Sequence, residues 1–246
     1  MDGPVLLTGA LGHVGTAILE GLGSAYDWRL LDRRPADDVD HELIVADITD
    51  ETAVREAIDG VEAIIHLAGD PRPEAGWDSV LRNNIDGTHT VFEAAIEADV
   101  EKVIFASSNH AVGHYETDRA PEIYRPEGEY VLDGTEYPRP GNLYGVSKGA
   151  GELLGRYYHD EYGLSVVCVR IGNLTKDHPP RDYERGQAMW LSHRDCAHLF
   201  DRCLQASYEF EIVYGISDND RKYYSLERAR EVLGYEPQDN SAEYSE

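Results

Sequence analysis

The sequence predicts an α/β fold, a doubly wound parallel sheet with helices on both faces. Two observations carry this: short apolar runs alternate with helical patterns along the chain, and the first run ends in a turn with evenly spaced glycines. The runs are VLLT at 5–8, WRLLD at 28–32, ELIVAD at 42–47, AIIHLAG at 63–69, KVIFASS at 102–108, SVVCVRIG at 165–172 and EIVYG at 211–215. They are too continuously apolar to have one wet face, so each is expected to be buried on both sides. Helical patterns fill the gaps at roughly 13–22, 51–59, 78–98, 142–162, 193–206 and 225–233. Residues 109–141 and 173–192 carry Gly, Pro and charge without a period and are expected to be long irregular loops. Both follow strand C-termini, the edge at which open α/β sheets bind ligands.

The first strand runs into TGALGHVG, which places Gly9, Gly12 and Gly15 at three-residue intervals, with His13 and Val14 between them, ahead of a helix. A pyrophosphate needs a tight turn, close backbone approach and a helix N-terminus with free N–H groups, and this spacing supplies all three. The second strand ends at Asp32, 17 residues after Gly15, where a carboxylate binds adenosine ribose hydroxyls. Asp32 repels a 2′-phosphate. The adjacent Arg33 and Arg34 are read as solvated turn residues before Pro35, with Arg33 close enough to touch the cofactor, so NAD is expected in preference to NADP. Asp47 and Ile48 end the third run, at the adenine edge, and Leu67, Ala68 and Gly69 close the fourth, with His66 read as a satisfied core histidine.

The fifth run ends at Ser108 in FASSNH, and LYGVSK opens the next long helix with Tyr144 and Lys148 four apart on one face. On a doubly wound sheet these three converge beside a nicotinamide. A tyrosine of ordinary pKa, about 10, is a poor base at neutral pH. An adjacent ammonium and a positive nicotinamide both favour the phenolate, so Tyr144 is the candidate base. Lys148 is then expected to hold the nicotinamide ribose and Ser108 to hydrogen-bond the reacting oxygen.

Composition narrows the partners. The 246 residues include 47 acidic and 22 basic side chains, a formal charge of −25 spread along the chain, which excludes nucleic acid and an anionic membrane as default partners. Lysine is scarce, at Lys102, Lys148, Lys176 and Lys222, a pattern that resembles proteins of a salt-accumulating cytoplasm. The three cysteines, Cys168, Cys196 and Cys203, fall in apolar patterns and are expected to be buried thiols. No run approaches the ~20 apolar residues of a membrane span, and MDGPVLLTG has no leader pattern, so a cytoplasmic location is expected. No metal is required.

In order and spacing, TGALGHVG, HLAG, NNIDGT, FASS and YGVSK resemble the extended short-chain dehydrogenase/reductase superfamily over essentially the whole chain. The resemblance implies a Rossmann-type sheet with a small C-terminal substrate-binding part. It divides one unit, 1–246, into a mainly NAD-binding core, 1–172, and a mainly substrate-binding remainder, 173–246. It implies that Asn84 is a structural helix residue near the site. It also implies a homo-oligomer formed by the helices near 78–98 and 142–162.

Within the superfamily, SSNH, YGVSK and VRIG resemble the uronate dehydrogenases. This implies sugar contacts from Ser108, Asn109, His110 and Tyr144, and a carboxylate contact from Arg185, placed by its spacing to Trp190. Pro71 and Asn173 stand where those enzymes carry substrate-contacting serines, so Asn173 is a candidate contact. GDPRPEAGWDSVLRNNIDGT and HPPRDYERGQAMWLS resemble the haloarchaeal NAD-dependent glucose-6-phosphate dehydrogenases more closely still. The implied reaction is oxidation of carbon 1 of an anionic sugar, glucose 6-phosphate ahead of a hexuronate, to a lactone. An epimerase or dehydratase stands behind these. So does a non-catalytic nucleotide sensor, against which the intact Ser108, Tyr144 and Lys148 argue.

An anionic substrate also has support from charge. Residues 170–194 hold Arg170, Lys176, Arg181, Arg185 and Arg194 against Asp177, Asp182 and Glu184, a window of +2 in which Lys176, His178 and Arg181 are further candidate partners of a phosphate. The alternative is that these cations pair with their own neighbours.

Overall fold

A computed structural model describes residues 3–125, 130–176, 178–180 and 184–244. Its strands are β1 Val5–Thr8, β2 Trp28–Asp32, β3 Glu42–Val45, β4 Ala63–His66, β5 Lys102–Ser108, β6 Ser165–Ile171, the short pair β7 Asn173–Leu174 and β8 Trp190–Leu191, and β9 Phe210–Gly215. Seven of them form one sheet in the order β3-β2-β1-β4-β5-β6-β9, parallel throughout. Successive side chains point to opposite faces, so Val5 and Leu7 join one apolar cluster and Leu6 the other; Ile104 and Val103 divide the same way. Each such side chain contributes about 1.5–3 kcal/mol by leaving water.

Helices α1 His13–Leu22 and α2 Glu51–Ile58 follow the expected patterns. The stretch expected as one helix at 78–98 is instead α3 Trp77–Ser79, a π-helical segment Val80–Asp86 and α4 Gly87–Glu97. The wide turn points Asn84 inward. Its amide oxygen accepts from Asp70 N at 2.6 Å, and its nitrogen donates to Asp70 O at 3.0 Å and Ser147 Oγ at 2.9 Å.

The stretch 109–141 is not wholly irregular. It holds a 3₁₀ turn Asn109–Val112, helix α5 Gly113–Thr117 and a second 3₁₀ turn Glu122–Tyr124, each too short to show a period in sequence. Helix α6 Leu143–Tyr162 starts at Asn142, whose Oδ1 accepts from Gly145 N, and stops at Gly163 in the left-handed region. In the second loop region β7 pairs in parallel with β8, with α7 Glu184–Ala188 between them. Helices α8 His193–Gln205 and α9 Glu227–Leu233 complete the chain, α8 packing on α1.

Two runs end two or more residues earlier than expected. β3 stops at Val45 because Asp47 Oδ1 captures Thr49 N and Oγ1 and turns the chain, leaving Asp47 and Ile48 beyond the strand. β4 stops at His66, after which Leu67 N is shared between Thr8 O and Thr8 Oγ1 and Ala68 N donates to Thr8 Oγ1. The three cysteines are buried and unbridged. Among the described residues, no helix is long and apolar enough to cross a membrane.

Candidate active site

The sheet order reverses between β1 and β4, and a cleft of about 530 Å³ opens at the C-terminal ends of those strands. Gly9, Gly12, His13, Val14, Gly15, Asp32, Arg33, Asp47, Ile48, Leu67, Ala68, Gly69, Ser108, Tyr144 and Lys148 all line it.

Its glycine turn fits a dinucleotide pyrophosphate for steric reasons. Gly9 has φ +69°, and a Cβ there would stand 2.8 Å from Ala68 N; a Cβ on Gly15 would stand 2.3 Å from Ala10 O. Only bare backbone lets α1 approach the turn, and the turn approach the residues after β4, this closely. Gly12 provides no side-chain cap, so the first-turn N–H groups of α1 are left for an anion. Asp32 is buried, with Leu11 N donating to Oδ2 at 3.0 Å and Arg34 N to Oδ1 at 3.0 Å. Burial raises its pKa, but the hydrogen bonds from Arg34 and Leu11 outweigh this and hold it below the usual carboxylate range. Arg34 therefore differs from the solvated turn residue expected: it pairs with Asp32 at 3.1 Å while half exposed.

Tyr144, Lys148 and Glu152 stand one turn apart along one face of α6. Lys148 is buried, donates to Ala106 O at 2.7 Å and lies 5.6 Å from the centre of the Tyr144 ring; burial lowers its pKa to about 8. Burial raises the pKa of Tyr144, the contact with Ser108 lowers it by less, and the charge of Asp70 adds to the rise. Lys148 directs a hydrogen bond to Ala106 O and does not reverse the shift. Ser108 Oγ accepts from His110 N at 3.2 Å and donates to Asn109 Oδ1 at 3.1 Å.

Behind these residues Glu152 receives Arg170 Nε at 2.8 Å, Arg170 Nη2 at 2.9 Å and Ser107 Oγ at 2.6 Å, all buried. The bidentate pair clamps the ends of β5 and β6 to the helix that carries Tyr144. Sequence reasoning missed Glu152, although its spacing of four from Lys148 was the available signal. His66 is the satisfied core histidine expected, with Thr8 Oγ1 at 2.8 Å and Thr88 Oγ1 at 3.1 Å, and burial lowers its pKa to about 3.

A smaller pocket of about 190 Å³ adjoins the cleft and shares Pro71, Ser108, Tyr144 and Gly172 with it; Asn109, His110, Asn173, Arg185 and Met189 also line it. All six residues named as substrate contacts thus meet around one hollow. Asn142 Oδ1 is committed to Gly145 N, so its amide nitrogen faces His110 Nδ1 at 2.9 Å and the ring proton belongs on Nε2. Burial, reinforced by the charge of Arg185, lowers the His110 pKa and keeps the ring neutral. The ring stands edge-on to Tyr144 at 5.6 Å.

The cations of the window 170–194 are largely paired, with acids from elsewhere in the chain and not with their own neighbours. Arg170 pairs with Glu152 inside the protein, Lys176 with Glu20 at 2.8 Å on the surface, and Arg194 with Asp239. His178 is exposed and bonded to Pro179 O, and Arg181 lies outside the described residues. Arg185 is the cation of that window that lines the pocket among the described residues, and its Nε donates to the carboxylate of Glu116.

A parallel sheet in this order, with a glycine turn at its switch point and a tyrosine and lysine on the facing helix, defines a dinucleotide-dependent enzyme fold. The chain belongs to the NAD dependent epimerase/dehydratase family, whose model matches residues 5–206. It is 71% identical, over an alignment of 253 residues, to the NAD-dependent glucose-6-phosphate dehydrogenase of Haloferax volcanii, covering 100% of this chain and 97% of that one. It is 40% identical to the L-arabinose 1-dehydrogenase (NAD(P)(+)) of the same organism, over 97% of each chain. Among solved structures it resembles a mutant of uronate dehydrogenase from Agrobacterium tumefaciens complexed with NAD, with TM-score 0.86 and 32% identity over 98% of this chain and 86% of that one.

Proposed function

We propose that the chain is an NAD-dependent dehydrogenase that oxidises carbon 1 of glucose 6-phosphate to the lactone. The observation that carries the proposal is the shared wall of the two hollows. Ser108 and Tyr144 face both the dinucleotide cleft and the small polar pocket that Arg185 lines. The 71% identity to a glucose-6-phosphate dehydrogenase supports the substrate.

The first-turn N–H groups beside Gly12, His13, Val14 and Gly15 hold the pyrophosphate, and Asp32, with Arg33 beside it, holds the adenosine ribose. Asp47 and Ile48 would line the adenine site, Leu67, Ala68 and Gly69 would line the rest of the cofactor cleft, and Lys148 would hold the nicotinamide ribose. NAD, when bound, supplies the hydride acceptor. Tyr144 takes the proton of the carbon-1 hydroxyl while Ser108 hydrogen-bonds the same oxygen. Asn109, His110 and Asn173 hold sugar hydroxyls, and Arg185 holds the anionic end. Residues 1–172 mainly bind the cofactor and 173–246 mainly complete the sugar site. The acidic, lysine-poor surface suits a salt-rich cytoplasm.

A hexuronate is the second reading. It is favoured by the pairing of Arg185 with Glu116, which suits a singly charged carboxylate better than a phosphate of nearly two charges. NADH formation with glucose 6-phosphate, glucose, glucuronate and galacturonate side by side in concentrated salt separates the two. A higher kcat/KM for a hexuronate would overturn the first.

The chain also acts as a homo-oligomer. Along α6, Leu153, Tyr157 and Tyr162 expose large apolar surface. Light scattering that finds a monomer in high salt would refute this.

A further inference from the structure

Glu116 lies on α5, outside both hollows, yet its side chain is only 7% exposed. It accepts from Arg185 Nε and, at 2.5 Å, from the hydroxyl of Tyr124. Tyr124 in turn packs near Tyr223, 5.9 Å between ring centres, so the carboxylate is held within a wall of aromatic rings. Arg185 reaches from this wall to the sugar pocket and remains 24% exposed there. A buried carboxylate beside a partly exposed guanidinium does two things at once. It fixes where the planar fork stands, and it cancels much of the field an incoming anion meets.

We infer that Glu116 is a positioning residue that tunes selectivity for the sugar's anionic group, by holding Arg185 at the pocket wall and limiting the positive charge Arg185 shows there. This rests on the anionic-sugar reading above. Glutamine at this position keeps an oxygen that accepts from Nε and keeps the shape, but removes the negative charge. Less of the guanidinium's charge is then balanced at the pocket wall, which a sugar phosphate relieves and a neutral sugar does not.

The test compares the parent and Glu116→Gln holoenzymes, each loaded with NAD and checked for an intact fold by thermal melting. The ratio of kcat/KM for glucose 6-phosphate to that for glucose should rise by about three- to tenfold, the scale of one partly screened charge, and the change should fall on KM for the phosphate ester. Inorganic phosphate titrated calorimetrically into each holoenzyme should bind tighter to the variant by a similar factor. In an Arg185→Ala background the same substitution should change neither quantity, because the effect acts through Arg185. An unchanged ratio, an equal shift for both sugars, or an effect that persists without Arg185 would overturn the inference. A parent inactive on both sugars would overturn the reading beneath it; the phosphate titration would still decide Glu116, since no tightening there refutes the role.

Discussion

The two halves of the cleft are built from different materials. The dinucleotide half is bare backbone at the ends of β1, β2 and β4, with Gly9 and Gly15 admitting no Cβ and Asp32 the buried acid at the strand end. The sugar half is assembled from side chains of four distant segments: the Pro71 loop, the end of β5, the start of α6 and the stretch from β7 to α7. Its charges are met by counter-charges from elsewhere in the chain. The difference teaches that the first half is a matter of steric permission, which local spacing reveals. The second is a matter of charge pairing, which only the fold decides.

The sharpest break falls where the halves join. Replacing Tyr144 with Phe should lower kcat by about a thousandfold while leaving NAD affinity near that of the parent, since proton transfer by a placed side chain is worth about 10²–10⁴. Activity within a few-fold of the parent would remove Tyr144 as the base.

Next in size, Arg185→Ala should reduce kcat/KM for glucose 6-phosphate by about 10–100-fold and for glucose by far less, because only the former loses a charge-assisted contact. Equal losses would dissolve the distinction between the halves. Gly15→Ala attacks the other side. Its Cβ would stand 2.3 Å from Ala10 O, so the variant should lose about 1–3 kcal/mol of stability and weaken NAD binding without changing the sugar preference. Asp32→Ala should weaken NAD by about tenfold and NADP by less, as dissociation constants by fluorescence titration will show; equal loss would take Asp32 off the ribose.

The smallest effect expected is in the pH profile. Burial raises the Tyr144 pKa, so the basic form is scarce at neutral pH, and kcat/KM should climb toward the alkaline side. A profile flat from about pH 6 to 9 would mean that no such proton is removed in the rate-limiting process.

All seven strands of the main sheet are legible in the sequence as apolar runs, and the α1 turn because glycine spacing has few other uses, but the edge strand β3 is not buried on both sides as expected, Val45 being 54% exposed. Asp32 is legible by position and Arg34 is not: whether an arginine two residues on curls back to the carboxylate depends on a turn that leaves no pattern. The charge window from 170 to 194 misleads for a related reason. It counts Arg170, which points into the sheet's interior toward Glu152, as though it faced the ligand. The π-helical turn is invisible because its seven residues read as ordinary helix. The direction of the Tyr144 shift escapes sequence reasoning because spacing shows which charges are near but not how much water is excluded.

Asn84 bonds the backbone of Asp70 with both ends of its amide, its nitrogen also donates to the hydroxyl of Ser147, and it so splices the Pro71 loop to the helix that bears Tyr144. These two parts of the enzyme are not free to diverge separately. A change in the loop selected for a new sugar will also tilt the helix, so its value will depend on which residues already stand at 84 and 147. Laboratory evolution of this scaffold should therefore be rugged along that seam, with improvements arriving as compensated pairs and single steps on either side losing turnover first.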